Sequence, residues 1–205
     1  MNTPSIFDPA HPDDVDRLVA RYPLALVISA DGPAIQASPL PLVLRREPDG
    51  AAFLIGHFSR ANPQVELVRR QGRALVAFTG AQGYVSSSWL RARTNAPTWN
   101  YEVVHFDVEI ELRPGLEETR AALGLLIGHA DAPYADPWRV EEMAPGRFEA
   151  LAARIIPFRA RVLGTQAQFK LGQGDPADVL EDSLAGLERH GRHELAAAMR
   201  RLHAR

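Results

Sequence analysis

Residues able to do chemistry gather at three places in the chain. The first is Gly56–Pro63, GHFSRANP, where an extended run leads into a helix start. Asn62 is a favoured cap and Pro63 a favoured first helical residue. The open N–H groups and positive dipole end of such a terminus attract anions. Ser59 adds a hydroxyl and Arg60 a bidentate cation, and His57 stands two residues before Ser59. The segment therefore reads as a phosphate site built without a P-loop. An ordinary capped helix with an exposed arginine fits the same residues.

The second place is Pro97–Tyr101, PTWNY. Trp99 and Tyr101 offer flat apolar surface, while Thr98 and Asn100 offer polar handles, a mixture that holds planar ligands. A loop anchored on the core by its aromatics is the other reading. The third is Lys170. Of 23 cationic side chains, 22 are arginine and this one is lysine. A base-composition bias explains the excess of arginine. A lone ammonium also marks a position where a planar fork will not serve.

Other engines are missing. With no cysteine there is no disulfide scaffold, thiolate metal site or cysteine nucleophile. No P-loop, dinucleotide fingerprint or G-x-S-x-G elbow occurs. His190 and His193 lack a third ligand and are separated by Gly191, and the His129, Asp131 and Asp136 group reads as loop acids beside a histidine. Asp107, Glu109 and Glu111 share one strand face and read as its solvated side. His57 or His105 as a haem ligand rests on single histidines. No catalytic residue and no metal ligand is assigned.

Short strands and turns must position these residues. Asp31-Gly32-Pro33 and Pro48-Asp49-Gly50 are turn signals, and the runs Leu24–Ser29, Ile35–Leu44 and Ala51–His57 around them read as strands. Pro39 and Pro41 make the second of these an edge or interrupt it. A helix is expected from Pro12 to Tyr22 and another from Pro63 to Gly72. Ala74–Thr79 is strand, resuming at Tyr84. From Val104 to Leu112 apolar and polar residues alternate, a strand with one wet face. Leu116–Ile127 and Phe148–Ile155 are helical, Phe158–Gly164 is strand, and Phe169–Leu171 extends it. Leucine stripes follow in two C-terminal helices. The pattern is an antiparallel barrel with peripheral helices, not a doubly wound sheet.

The chain has 205 residues, 46% hydrophobic and 23% charged, with a net charge of −2. That is globular composition, with no general attraction for a polyanion. No apolar run approaches the ~20 residues of a membrane span, and the acidic N-terminal stretch is unlike a signal peptide, so a cytoplasmic protein is expected. Arginines are dense only at Arg69, Arg70 and Arg73 and at Arg200, Arg201 and Arg205. These read as solvated helix ends, and direct DNA binding is not expected.

Five stretches resemble the PaiB family of FMN-binding negative transcriptional regulators, within the flavin-reductase-like split-barrel group. They are Ser38–Leu44 (SPLPLVL), Gly56–Gln64 (GHFSRANPQ), Phe78–Leu90 (FTGAQGYVSSSWL), Pro97–His105 (PTWNYEVVH) and Phe169–Gln173 (FKLGQ). The chain departs from the family pattern at Ser59, Ser87, Leu90, Gly172 and Gly174. The resemblance implies a mainly β fold, an antiparallel six-stranded FMN-binding split barrel over residues 1–175; the C-terminal leucine stripes make 176–205 a helical extension of the same domain. The resemblance also implies a homodimer with FMN near the interface, where Trp99 and Tyr101 are expected. The expected FMN contacts are His57, Ser59, Arg60, Asn62, Thr98, Trp99, Asn100 and Lys170. A flavin-dependent reductase using the same pocket is the alternative function, since a flavin carries its own redox chemistry.

Overall fold

The computed structural model describes residues 4–204. Helix α1 is Asp14–Arg21, closed before Pro23, and strands β1 (Leu24–Asp31) and β2 (Ala34–Pro41) follow as a hairpin. Strand β3 (Val43–Arg46) turns into β4 (Ala52–Ser59), also antiparallel. Helix α2 is Gln64–Gln71. Gly72 ends it at φ 68°, a left-handed conformation that glycine adopts without a Cβ penalty. The remaining elements are β5 (Arg73–Val85), β6 (Thr98–Leu112), α3 (Leu116–Asp131), α4 (Arg147–Ala152), β7 (Ile155–Lys170), α5 (Ala177–Arg189) and α6 (His193–His203).

The strands form one sheet in the order β2-β1-β5-β6-β7-β4-β3. The sheet thus has seven strands, not the expected six, and it is open, with β2 and β3 at its ends. The extra strand comes from the Ile35–Leu44 run. It breaks at Leu42, between Pro41 and Val43, into β2 and β3. Pro39 and Pro41 lie on β2, at an edge, where a missing ladder donor costs least. Two runs expected as pairs of short strands are each continuous, β5 through Gly80 and Gly83 and β7 through Gly164 to Lys170. Helix α4 is shorter than the Phe148–Ile155 stripe: it stops at Ala152, and Ile155 opens β7.

The described residues fall into two compact units. The larger holds 19–78 and 105–165 and the smaller those within 1–18, 79–104 and 166–205. In the larger unit Phe78 meets Phe106 edge-on at 5.8 Å, and Phe58 packs on Phe158 at 4.8 Å. Helix α2 lies on β1 and α3 on β4. A satellite cluster of Val140, Phe148 and Ala152 packs with Leu123, Ile127 and Met143. The buried residues of the smaller unit include Leu90, Phe169, Leu171, Leu187, Leu195 and Met199.

One face of the larger unit is unusual. Along β1 the outward residues are as apolar as the inward ones. Leu24, Leu26 and Ile28 alternate with the buried Ala25, Val27 and Ser29. Register places Pro39 opposite Leu26 on one side and Leu75 opposite Ile28 on the other. Leu24 is 63% exposed and Ile35 of β2 68%. A strand apolar on both sides is the pattern of a sheet covered on both faces. Among the described residues no helix is long and apolar enough to cross a membrane.

Candidate functional site

The expected contact residues divide between the units. His57, Ser59, Arg60 and Asn62 belong to the larger, and Thr98, Trp99, Asn100 and Lys170 to the smaller.

In the larger unit β4 delivers the chain to α2 through a tight turn. Arg60 N–H donates to the Arg154 carbonyl at 2.9 Å and Asn62 N–H to the Ser59 carbonyl at 3.0 Å. Pro63, expected as the first helical residue, occupies the cap position, and the helix begins at Gln64. Asn62 still caps it, since its Oδ1 accepts from Gln64 N–H at 2.9 Å while its Nδ2 donates to Ser38 Oγ at 2.8 Å. Both ends of that amide are therefore used inside the protein. Gln64 is fully buried and donates to the Val27 carbonyl and Ser29 Oγ, which ties the helix start to β1. Ser59 Oγ accepts from Ala61 N–H at 3.3 Å. Arg60 is exposed and makes no ion pair among the described residues. His57 lies on β4 with Nδ1 buried and unpartnered. Burial lowers its pKa and favours the neutral ring.

In the smaller unit the TWNY of this motif is not a loop before the alternating strand but the start of β6 itself, with Pro97 just outside it. Alternation then sorts its residues. Thr98 and Asn100 share one face, continued by Glu102, while Trp99 and Tyr101 share the other. Asn100 is 2% exposed and Trp99 51%. Trp99 Nε1 donates to Gln82 Oε1 at 2.8 Å, and its ring lies 6.3 Å from that of Tyr84. Lys170, last residue of β7, donates to Thr98 Oγ1 and, at 3.0 Å, to the Trp99 carbonyl. The lone lysine is thus bonded to the PTWNY segment.

Thr98, Asn100 and Lys170 line a cavity of about 330 Å³, whereas Trp99, on the opposite face of β6, is not among its lining residues. Its walls include Ser87, Thr98, Asn100, Lys170, Gln173 and Ser183, with Leu90 and Val179 as apolar lining. The volume falls at the lower end of the roughly 300–1,000 Å³ of small-molecule sites. Ser87 Oγ is buried with no hydrogen-bond partner in the structure. A buried hydroxyl left open on a cavity wall is a ready partner for a ligand's polar edge. Asp175 also lines the cavity, and burial raises its pKa against the opposing charges of His203 and Lys170. The sequence reading missed Ser87, Ser183, Gln173 and Asp175. Ser87 and Gln173 lay inside matched stretches and so carried a signal. Ser183 carried none, because it sits within a leucine stripe.

The remaining chemical groups are spent on structure. Asp107, Glu109 and Glu111 each bind an arginine, respectively Arg73, Arg161 and Arg113. His190 stacks on Trp89 at 4.9 Å, and Gly191 separates it from His193 on α6. The arginine clusters are ion-paired: Arg69 with Glu66, Arg70 with Asp31, Arg200 with Glu188 and Arg201 with Glu102. Arg205 lies outside the described residues.

Comparison with known proteins places the fold and the motifs in one family. The family described as "Putative FMN-binding domain" matches residues 1–163. The chain belongs to it. Among curated proteins it is similar to Protease synthase and sporulation protein PAI 2 of Bacillus subtilis (strain 168), 27% identical over 173 residues, 84% of this chain and 82% of that one. This bears out the resemblance to the PaiB family. Among solved structures it is similar to the FAD and heme binding protein from Mycobacterium smegmatis. The TM-score is 0.57 at 20% identity, covering 87% of this chain and 79% of that one. It is also similar to the flavocytochrome Anf3 from Azotobacter vinelandii, with TM-score 0.56 at 16% identity, covering 85% and 73%. Those likenesses bear out the mainly antiparallel, split-barrel-like fold of this FMN-binding family member.

Proposed function

We propose that this protein binds FMN and acts as a PaiB-type negative regulator of transcription. The observation that carries the flavin reading is the cavity of the smaller unit. There the buried, unpartnered Ser87 Oγ, the Lys170 ammonium and Thr98 face a space of small-molecule size. Hydroxyls, an amide and one cation beside apolar lining fit a flavin, which carries carbonyl and N–H edges on a flat apolar ring. When bound, FMN supplies redox chemistry of its own, so the chain need only bind and orient it. Lys170 is held at its post by Thr98 and the Trp99 carbonyl, and its charge is available to an electron-rich ligand atom. In the larger unit, taken by itself, His57, Ser59 and Arg60 form a separate proposed anion-contact set, positioned by the Asn62 cap, with Arg60 as the phosphate reader because it is exposed and makes no ion pair among the described residues.

The regulatory reading draws on the PaiB resemblance and on the name of the Bacillus relative, which concerns protease synthesis and sporulation. Among the described residues Arg69, Arg70, Arg200 and Arg201 are each ion-paired, which supports a regulation that passes through a partner or through the flavin rather than through direct DNA contact. We further propose residues 1–175 as the flavin module with 176–205 as its helical extension. The working form is a cytoplasmic homodimer; Trp99 and Tyr101 are kept as proposed interface residues, and the apolar outer face of β1, β2 and β5 is proposed as further pairing surface.

An absorbance spectrum of the purified protein tests the flavin reading. Flavin bands released on denaturation, or acquired on titration with FMN, are expected. A protein that takes up no flavin at micromolar FMN refutes it. Reduced nicotinamide consumed catalytically by the FMN-loaded protein would favour the reductase alternative over the regulator. A mobility-shift titration with the gene's own upstream DNA and a scrambled control tests the absence of direct DNA contact.

A further inference from the structure

The two segments that build the cavity are both fastened to the same helix, α6, which lies beyond the residues matched by the family. Three contacts do this, all within the smaller unit. Asn100 Nδ2 donates to Met199 Sδ at 3.6 Å. Arg201 donates to Glu102 Oε1 at 3.0 Å. His203, through Nε2, bonds the Leu171 carbonyl at 3.1 Å, one residue past Lys170. The Met199 methyl also lies against Gly172, so close that a Cβ there would sit 3.2 Å from it.

The energetics make the middle contact the strongest. Glu102 is 1% exposed, and its Oε1 accepts from Arg17 of α1 at 3.1 Å as well as from Arg201. A buried carboxylate is tolerated only while paired, so removing one of two cations weakens its hold sharply. Glu102 shares the inward face of β6 with Thr98 and Asn100. Fixing Glu102 therefore fixes the register at which the other two meet the cavity. The FKLGQ turn is braced locally by Gln173, which bonds the backbone of Phe169 and Leu171. Its ties to the rest of the unit run through Lys170 to Thr98 and the Trp99 carbonyl on one side and through His203 and Met199 of α6 on the other.

We infer that α6 is a clamp that positions both cavity segments for the flavin, with Arg201, Met199 and His203 as positioning residues. The inference rests on the flavin reading of the cavity, so its test has one arm that needs no flavin. No residue of helix α6 is among those lining the cavity; α6 touches the lining residues Asn100 and Gly172 from behind. Its effect is therefore on how long the segments hold their shape, which amide exchange reads directly.

The test uses the full chain with Arg201→Met, Arg201→Lys and Met199→Leu. Arg201 reaches Glu102 through one nitrogen rather than a fork, so lysine can replace it. In the flavin-free protein, Arg201→Met is expected to speed amide exchange in residues 98–102 and 170–173 about tenfold or more, with residues 24–41 unchanged. FMN affinity is expected to fall by a similar factor, and Arg201→Lys to restore both. Met199→Leu keeps the volume and removes the sulfur acceptor. A loss of about threefold in FMN affinity is expected for it, which keeps the test alive if Arg201→Met does not fold. Unchanged exchange in the two segments, or exchange accelerated equally throughout the chain, overturns the clamp. So does full FMN affinity in Arg201→Met. If the unsubstituted protein takes no FMN, the proposed function falls, and the exchange arm still decides whether α6 holds the segments.

Discussion

One substitution, glycine to alanine, is expected to have opposite signs at two helical positions. Gly186 sits in α5, and Trp89 lies flat across it. A Cβ added there would meet three indole atoms at 2.3, 2.5 and 2.9 Å. No real Cβ contact is that short, and an indole cannot fold out of the way as the end of a flexible chain would. Trp89 also stacks on His190, which lies one helical turn beyond Gly186 and whose Nδ1 is bonded to the Gly186 carbonyl at 2.8 Å. Gly186→Ala must therefore move a stacked pair. Overpacking costs about 1–3 kcal/mol, while the helix propensity of alanine returns about 0.8–1 kcal/mol. With three ring atoms displaced the upper part of the range applies, so a net loss of about 1–2 kcal/mol is expected. Gly124 in α3 is exposed and has nothing within 4 Å of its Cβ position. Only the propensity gain remains, and Gly124→Ala should stabilise by up to about 1 kcal/mol. Urea titrations followed by tryptophan fluorescence and circular dichroism measure both. Because Trp89 neighbours the cavity residues Ser87 and Leu90, Gly186→Ala should also weaken FMN binding. A Gly186→Ala protein as stable as the unsubstituted one refutes the packing argument.

Three further outcomes are expected. Arg60→Ala should weaken FMN about tenfold or more while leaving riboflavin nearly unaffected, by isothermal calorimetry; equal losses for both ligands show that Arg60 does not read the phosphate. His57 and His105 both have pKa values lowered by burial from 6.5, so the unfolded chain takes up their protons first on acidification. Stability should hold above about pH 6.5 and fall as the pH drops below it. His57→Leu, which removes a buried nitrogen without a partner, should flatten that fall, and a urea midpoint with the same pH slope in both proteins counts against it. Leu26→Asp places a charge in the middle of the apolar outer face and should convert a dimer into a monomer by light scattering; a monomer before substitution defeats the proposed interface.

Much of this fold was legible because its strands obey simple rules. The alternation from Val104 to Leu112 survives as the second half of β6, and Gly72 ends α2 where a left-handed residue was needed. Two of the errors share one cause. Glycines at 80, 83 and 164 read as breaks, yet β5 and β7 pass through them, because ladder pairing with neighbours outweighs the weak strand preference of glycine. The same error hid the start of β6, since Pro97 and the turn residues before it looked like a loop with aromatics. Once Thr98 is strand, alternation alone assigns Asn100 inward and Trp99 outward.

The site was legible residue by residue but not as a geometry. Lys170 was singled out by composition, and the structure gives a reason that composition lacked. Its Nζ serves two acceptors of different kinds, a hydroxyl and a carbonyl, at the end of a strand. A compact ammonium with three donors does this at one point, where a guanidinium would need its acceptors in a plane. Asn62 shows the converse. Its position in a specific motif suggested a ligand contact, yet its oxygen caps α2 and its nitrogen binds Ser38. A motif residue can therefore owe its place to the turn that presents its neighbour, and here that neighbour is Arg60, which the turn leaves exposed and without an ion pair among the described residues.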